Sequence, residues 1–292
     1  MISAEIVEDS VNADGHRLTT MKLCYPRFIH AEFMTHRVFS RNASSSRAVP
    51  VQRVLTAVDD EMAEPVAWGR NQPGMQSRVP LDDNDRKAAQ AVWRIAGRNA
   101  IRASQHLSEI GCHKQIANRV TEPWQKIDVV VTASEWDNFF ALRCHPDADP
   151  TMAELAWTMA HVYYRDPRPR QCHGDRWLHL PFVGEEERSS SVDERILLSA
   201  SVARCARVSY RNHDGSSVDI EKDVKLAEDL RESGHWSPFE HQAMASPGTR
   251  SGNFRGWIQY RQTFGTLSTS RFNYREEIQK LSVAGRRVPG LR

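Results

Sequence analysis

Apolar and polar positions change period along the chain, and the changes mark its elements. Residues 3–11 and 18–24 read as two strands joined by the turn Asn12-Ala13-Asp14-Gly15, a hairpin signal. The second strand runs into Phe28, Ile29 and Phe33, whose helical spacing predicts a short amphipathic helix with His36, Arg37 and Ser40 close together at its end. Residues 41–47 then form a polar loop that stops before Pro50. Residues 51–81 show no clear period and are punctuated by Trp68-Gly69, Pro73-Gly74 and Pro80, so they read as an irregular surface excursion. A long helix follows over 85–110, with an apolar stripe of Ala88, Val92, Ile95, Ala96, Ile101 and Leu107 and a stop at Gly111. A shorter helix over 114–121 ends before Pro123, because the residue ahead of proline avoids helical angles.

The run 127–133 is apolar and β-branched, the pattern of a buried strand. Ser134 and Asp137 match the S-x-x-D form of a capping box, opening a helix through Trp136, Phe139 and Phe140 to Arg143. Arg143 shares the aromatic face, so it either snorkels out of a core or points into a pocket lined by that face. Asp149 and Pro150 suit the cap and first turn of the next helix, whose stripe is Met152, Leu155, Ala156, Met159 and Val162. Residues 167–181 are rich in loop formers, and G-E-E-E-R-S-S-S at 184–191 reads as a linker. This divides the chain into 1–183, a linker at 184–194, and 195–292, the last packing into the same fold. Beyond the linker, a helix within 196–210 leads into A-R-V-S-Y. Ser216 and Asp219 then cap a helix through Ile220, Val224, Ala227 and Leu230, closed by Gly234. G-H-W-S-P-F-E-H follows at 234–241.

Composition narrows the function. A net charge of +2 over 292 residues, with acids and bases alternating, argues against a general binder of polymeric nucleic acid. The first residues lack a secretory signal and no apolar run reaches membrane-spanning length, so the expectation is a soluble, cytoplasmic protein with no membrane partner. Five widely spaced cysteines without C-x-x-C disfavour disulfides and structural zinc, and the histidines and glutamate of 234–241 have no metal-ligand spacing. Cys144-His145 and Cys172-His173 leave a thiolate nucleophile as one reading and inert buried thiols as the other. The densest chemistry is T-H-R-V-F-S-R-N-A-S-S-S-R at 35–47. Its arginine forks and hydroxyls suit a phosphate or pyrophosphate, although the same residues also serve ordinary solvated turns.

Three blocks together resemble the flavin-dependent thymidylate synthases. The family signature R-H-R-x-x-S-x-N-x-x-S-x-R is filled by His36, Arg37, Ser40, Asn42, Ser45 and Arg47, with Thr35 in place of the first arginine. A-R-V-S-Y at 206–210 and G-H-W-S-P-F-E-H resemble the opening segment of the family. The strand and helix at 131–143 resemble a third block, with Asn138 and Arg143 in register. In the family the E-H segment comes first, whereas here it follows the other two, which resembles a circular permutation. N-F-R-G-W-I-Q-Y-R at 253–261 resembles a second strand-following helix comparable to 27–37, so that Arg261 would supply the arginine missing at Thr35.

The resemblance implies an α+β fold with a central, mostly antiparallel sheet, flanking helices and permuted segments. It implies FAD bound at the subunit interfaces of a homotetramer, and transfer of a one-carbon unit from methylenetetrahydrofolate to the 5-carbon of deoxyuridylate without an enzyme nucleophile. Arg143 would stabilise negative charge on the uracil ring. Ser45 and Arg47 would hold the nucleotide phosphate, with Glu32 and Arg119 as further substrate contacts. His36, Arg37, Ser40, Asn42, Asn138, Ser237, His241 and Arg261 would form the cofactor set. Glu32 stands where the family has glutamine, Ala43 where it has an acid, and Arg119 is a shifted arginine, so substrate contacts differ. Addition of water in place of hydride would give hydroxymethyldeoxyuridylate with no stoichiometric need for NADPH. Deoxycytidylate is an alternative acceptor, and a non-catalytic nucleotide- or flavin-binding module is a reading of another class.

Overall fold

The computed structural model describes residues 1–165, 167–174, 176–208 and 219–264. Among them the chain passes through β1 (Ser3–Val11), β2 (Arg17–Pro26), α1 (His30–Phe33), β3 (Ser40–Ala43), α2 (Val51–Asp60), α3 (Asp83–Glu109) and α4 (Lys114–Ala117). It continues with β4 (Lys126–Ala133), α5 (Asp137–Arg143), α6 (Pro150–Tyr164), β5 (Arg170–Gln171), β6 (Trp177–His179) and α7 (Glu185–Ser189). It closes with α8 (Glu194–Arg207), α9 (Ile220–Glu232), β7 (Ala243–Ser251) and β8 (Phe254–Gln259). One sheet has the order β3-β4-β2-β1-β5 and is antiparallel except at the short β1–β5 pair; a second, antiparallel sheet has the order β6-β7-β8. The mixed helix-and-strand architecture is the one expected.

Strand alternation gives the larger sheet two unlike faces. Met21, Leu23 and Tyr25 of β2 and Val129, Val131 and Ala133 of β4 build the main core with Phe139 of α5 and Met152, Leu155 and Met159 of α6. The intervening residues, Leu18, Thr20 and Lys22 on β2 and Asp128, Val130 and Thr132 on β4, point the other way. The C-terminal part of the chain covers this second face: Leu18 packs with Trp257, and Val130 with Cys205 and Val208. A bulge between Ile6 and Glu8 resets the alternation of β1. Asp9 therefore bonds Arg17 and Thr19, whereas Glu8 meets Arg188 and Ser10 meets His179 on the second face. The two hairpins approach closely at Gly256, whose carbonyl accepts from Asn12 Nδ2 at 2.7 Å. Its φ is +80°, and a Cβ there would lie 2.6 Å from Asn12 Nδ2 and 2.8 Å from His16 Cβ, so only glycine fits.

Several elements follow the sequence reading and several correct it. The hairpin, the buried strand, α3, and the Asp149-capped α6 are present, with Asp149 accepting from the amides of Thr151 and Met152. Residues 51–60, expected to be irregular, form α2 because Val54, Leu55 and Val58 recur at helical spacing and are buried. Val92 and Ile95 of α3 are exposed rather than core; the buried side is the small-residue line Gly97, Ala100 and Ser104, where Gly97 sits against Met62 and Trp124. No capping box opens α5, since Ser134 Oγ accepts from the Arg255 amide instead. Ser40 does not end a helix but starts β3, and 253–261 is a strand and a 3₁₀ turn rather than a helix. Residues 185–189, inside the expected linker, form α7, whose half-buried Arg188 pairs with Glu8. Asp219 caps α9 by accepting from the Glu221 amide, while Ser209, Tyr210 and Ser216 lie outside the described residues.

Candidate functional site

The signature segment is divided between the two faces of the sheet. Its first half turns after α1, where Arg41 Nη1 donates to the carbonyls of Met34 (2.9 Å) and His36 (3.1 Å) and so satisfies a helix end. This holds His36 edge-on to the Phe139 ring, 4.9 Å between centroids. Arg143, at the end of α5, donates from Nε to His36 Nε2 at 2.9 Å and pairs with Glu32 through Nη1; Nη2 has only a long 3.5 Å contact to Thr35 Oγ1. Because a guanidinium cannot accept, His36 Nε2 is the acceptor, and the neutral ring carries its proton on Nδ1. Burial first, then the charges of Arg143 and Arg41, push the His36 pKa down to about 4. Glu32, Thr35, His36 and Arg143 thus meet in one cluster, although Arg143 lies more than 100 residues beyond the others in sequence. Arg143 is half-buried and ion-paired with Glu32.

The second half faces the C-terminal part. Asn42 Nδ2 donates to the carbonyls of Cys205 (2.8 Å) and Ala206 (3.3 Å), and Ser237 Oγ donates to Asn42 Oδ1 at 3.1 Å. Ser40 Oγ accepts from Gln259 Nε2 at 2.9 Å. These bonds seat A-R-V and S-P-F-E-H on the signature strand. His241 is fully buried, with Nδ1 2.8 Å from Thr132 Oγ1. From there a chain of buried polar contacts runs through Thr20 (2.7 Å from Thr132) to His179 (2.8 Å) and Ser10 (2.9 Å). Ser40, Asn42 and His241, expected to touch a cofactor, therefore spend their side chains on holding the second face together. Arg261 lies over the Trp236 ring, 3.9 Å from its centroid, and with Arg41 acts on the Glu240 carboxyl; it makes no bond to His36 or Arg37.

Arg37, Arg47, Arg119, Ser45 and Asn138 are exposed, and their side chains bond to nothing among the described residues. A cleft of about 510 Å³ opens beside the Ser44–Ser46 turn and is walled by Lys22, Arg27 and Lys126, by α2, and by Arg207 with Val208. Of the expected substrate residues it contains Ser45, and none of Arg143, Arg47 and Arg119; His36 is not part of it either. The sequence reading missed it, although period-2 alternation from Thr20 to Cys24 places Lys22 on the face away from the main core. Cys172 and Cys205 are buried, and burial raises the pKa of Cys144 and Cys172, so the thiolate reading has no support. The described residues contain no group of metal-binding side chains, and no helix long and apolar enough to cross a membrane.

Acidification tests the histidine environments. The folded pKa values of His36, about 4, and His241, about 3, lie below the ordinary 6.5. Between these limits the unfolded chain binds more protons than the folded one, so this contribution is full above pH 6.5 and is lost as pH falls. The denaturant midpoint should drop between pH 7 and 4.5, and His36→Asn should flatten part of that slope. An unchanged slope in the variant would show that His36 titrates normally.

No curated protein matches the chain. Solved structures that the chain matches include UMP/dUMP methylase PolB from Streptomyces cacaoi bound with 5-Br dUMP, at 18% identity over 56% of this chain and 90% of that chain, TM-score 0.48. The same methylase bound with 5-Br UMP gives 19% identity over the same shares, TM-score 0.46. Residues 15–167, more than half of the 292, match the thymidylate synthase complementing proteins. That stretch contains both the signature strand and the arginine brought to it by α5, and the chain belongs to this family, the flavin-dependent thymidylate synthases.

Proposed function

We propose that this protein transfers a one-carbon unit from methylenetetrahydrofolate to the 5-carbon of deoxyuridylate, using FAD. The observation that carries the reading is the contact between Arg143 Nε and the His36 ring, which joins two blocks of the family pattern at one point. Arg37 and Asn138 fit a flavin dinucleotide: both are exposed polar donors without partners among the described residues, as a pyrophosphate requires. Ser237 also reaches the surface, while Ser40, Asn42 and His241 position the strand that carries the set. When bound, the flavin supplies the two-electron chemistry.

The protein's own residues act on the nucleotide. Arg143 Nη2 is the least engaged donor of the guanidinium and is the one available to a ring oxygen as the uracil imide loses its proton. Glu32 fixes the fork from the other side, and the neutral His36 ring keeps its plane. Ser45 and Arg47 receive the phosphate, and Arg119 offers a further unpaired fork. The exposure of Arg37, Arg47 and Arg119 supports a site completed by other subunits of a homotetramer. The docking of S-P-F-E-H on β3 from a later place in the chain supports a permuted order, with 1–183 and 195–292 forming one unit.

Mass spectrometry of the nucleotide formed anaerobically from deoxyuridylate and methylenetetrahydrofolate, with and without NADPH, tests the reaction. Thymidylate formed only with the reductant identifies methyl transfer. A hydroxymethylated product without it identifies hydroxymethyl transfer, which the replacement of family contacts by Glu32 and Ala43 favours over an unaltered reaction. Tight flavin with no product from deoxyuridylate or deoxycytidylate would leave a binding module.

A further inference from the structure

Within the chain, α3 uses only part of its surface. Its buried residues are Gly97, Ala100 and Ser104, and on the same side Trp93 packs against Trp68 and Trp124 and donates from Nε1 to the Ala63 carbonyl at 2.9 Å. Asp85, Ala88, Val92, Ile95, Asn99 and Arg102 lie on the other side, all exposed. Steps of three and four alternate between them, which is the 3.5-residue period by which one helix meets another along a seam. Val92 is 66% exposed and Ile95 53%, and the two are neighbours on the helix surface. Nothing among the described residues covers them.

The charges on this face identify what does. Asp85 is seven residues before Val92, and Arg102 is seven after Ile95. One end of the seam is therefore acidic and the other basic, with the apolar pair midway. Neither charge is well paired. Asp85 has one ion pair, a long 3.5 Å contact to Arg70, which binds Asp82 at 2.7 Å. Arg102 reaches only Asn99 Oδ1, at 3.3 Å, among the described residues. Nearby Arg86 and Arg94 are held elsewhere, by Asp83 and Glu64. A face with an apolar centre and two ends of opposite charge is complementary to a copy of itself turned end for end.

We infer that α3 packs antiparallel against α3 of a second copy of this chain, about a two-fold axis that passes between Val92 and Ile95. Val92 of each copy then meets Ile95 of the other, Ala88 meets Asn99, and Asp85 meets Arg102. A parallel pair would instead set Asp85 on Asp85 and Arg102 on Arg102. Antiparallel order also opposes the two helix dipoles. The inference goes beyond the one-carbon reading, since the contact needs neither flavin nor nucleotide, and it holds whether assembly stops at two subunits or continues to four.

The test is sedimentation velocity of the full chain as purified, across the micromolar range, with each variant first shown to be folded by its thermal transition. The wild-type chain should associate. Ile95→Glu, at an exposed position, should weaken one association step by about tenfold or more, because it places a charge in the apolar layer. Asp85→Arg and Arg102→Glu should each weaken the same step by a similar factor, through like charges brought together. Both changes in one chain should restore most of the affinity, because the two ends then exchange signs. Independent structural damage would add in the double variant rather than cancel. A wild-type chain that stays monomeric throughout, or a double variant as weak as the weaker single one, would overturn the proposal. A tetramer that persists in folded Ile95→Glu would also overturn it, while leaving the homotetramer itself in place. Product formation is measured separately, so failure of the one-carbon reading would leave this result standing.

Discussion

Arg143→Ala should lower kcat/KM for the nucleotide by about 10²–10³-fold, the usual effect of removing one donor from a site of developing negative charge. Flavin content and thermal stability should change little, because Arg143 is at the end of a short helix and half-buried. Arg143→Lys should not restore the rate. An ammonium cannot reproduce a fork that engages Glu32, His36 and Thr35 from three nitrogens. A spectroscopic signature accompanies the kinetic one: without the neighbouring guanidinium, the His36 pKa should climb from about 4 toward 6.5. The climb should be incomplete, since burial is the larger cause of the depression and remains. A folded variant with normal turnover would remove Arg143 from the chemistry.

Asp223→Ala should be the most destabilising single change outside the hydrophobic core, at about 3–5 kcal/mol. Asp223 is 1% exposed and receives Arg204 Nε at 2.9 Å together with Arg207 Nη2. Arg204, 2% exposed, also reaches Glu187 at 2.6 and 2.7 Å and the Phe182 carbonyl at 2.8 Å. Deleting the carboxylate leaves two guanidinium groups of α8, three residues apart, at the seam with α9, and only Arg204 keeps a carboxylate partner there, Glu187, among the described residues. The denaturant midpoint reads the loss, with the m-value unchanged if cooperativity survives. Replacing both partners, as Arg204→Met with Asp223→Leu, should cost less than Asp223→Ala alone, since buried charge rather than lost contact is the main penalty. Equal costs would show that the network is worth its contacts alone.

Much of this was legible in the sequence because local physics and tertiary structure agree there. The turn at Asn12–Gly15, the β-branched run of β4 and the Asp149-Pro150 cap each have one dominant solution, and the structure takes it. Where the reading failed, a tertiary partner outbid a local signal. Ser134 looks like a helix cap, yet the Arg255 amide reaches it first. The stripe of α3 names Val92 and Ile95, but the helix turns its small residues inward so that Met62 and Trp124 can approach. The motif reading found His36 and Arg143, whose contact depends on where α5 ends. It could not divide the signature by face, because Ser40 and Asn42 turn away from His36 only once β3 pairs with β4. Nor could it find the cleft, whose basic residues come from separate stretches of the chain between Lys22 and Arg207.

The covering of the second face has a consequence for synthesis. β4 closes at Ala133, but β8, the last strand among the described residues to be laid over that face, ends at Gln259. At about 5–20 residues per second a ribosome needs on the order of 6–25 s to make the residues between. Over that interval the covering of one side of the nascent sheet is incomplete. Beside Leu18 and Val130, the residues that wait there are the polar Ser10, Thr20, Lys22, Asp128 and Thr132, and water can satisfy these until His179 and His241 emerge to take its place.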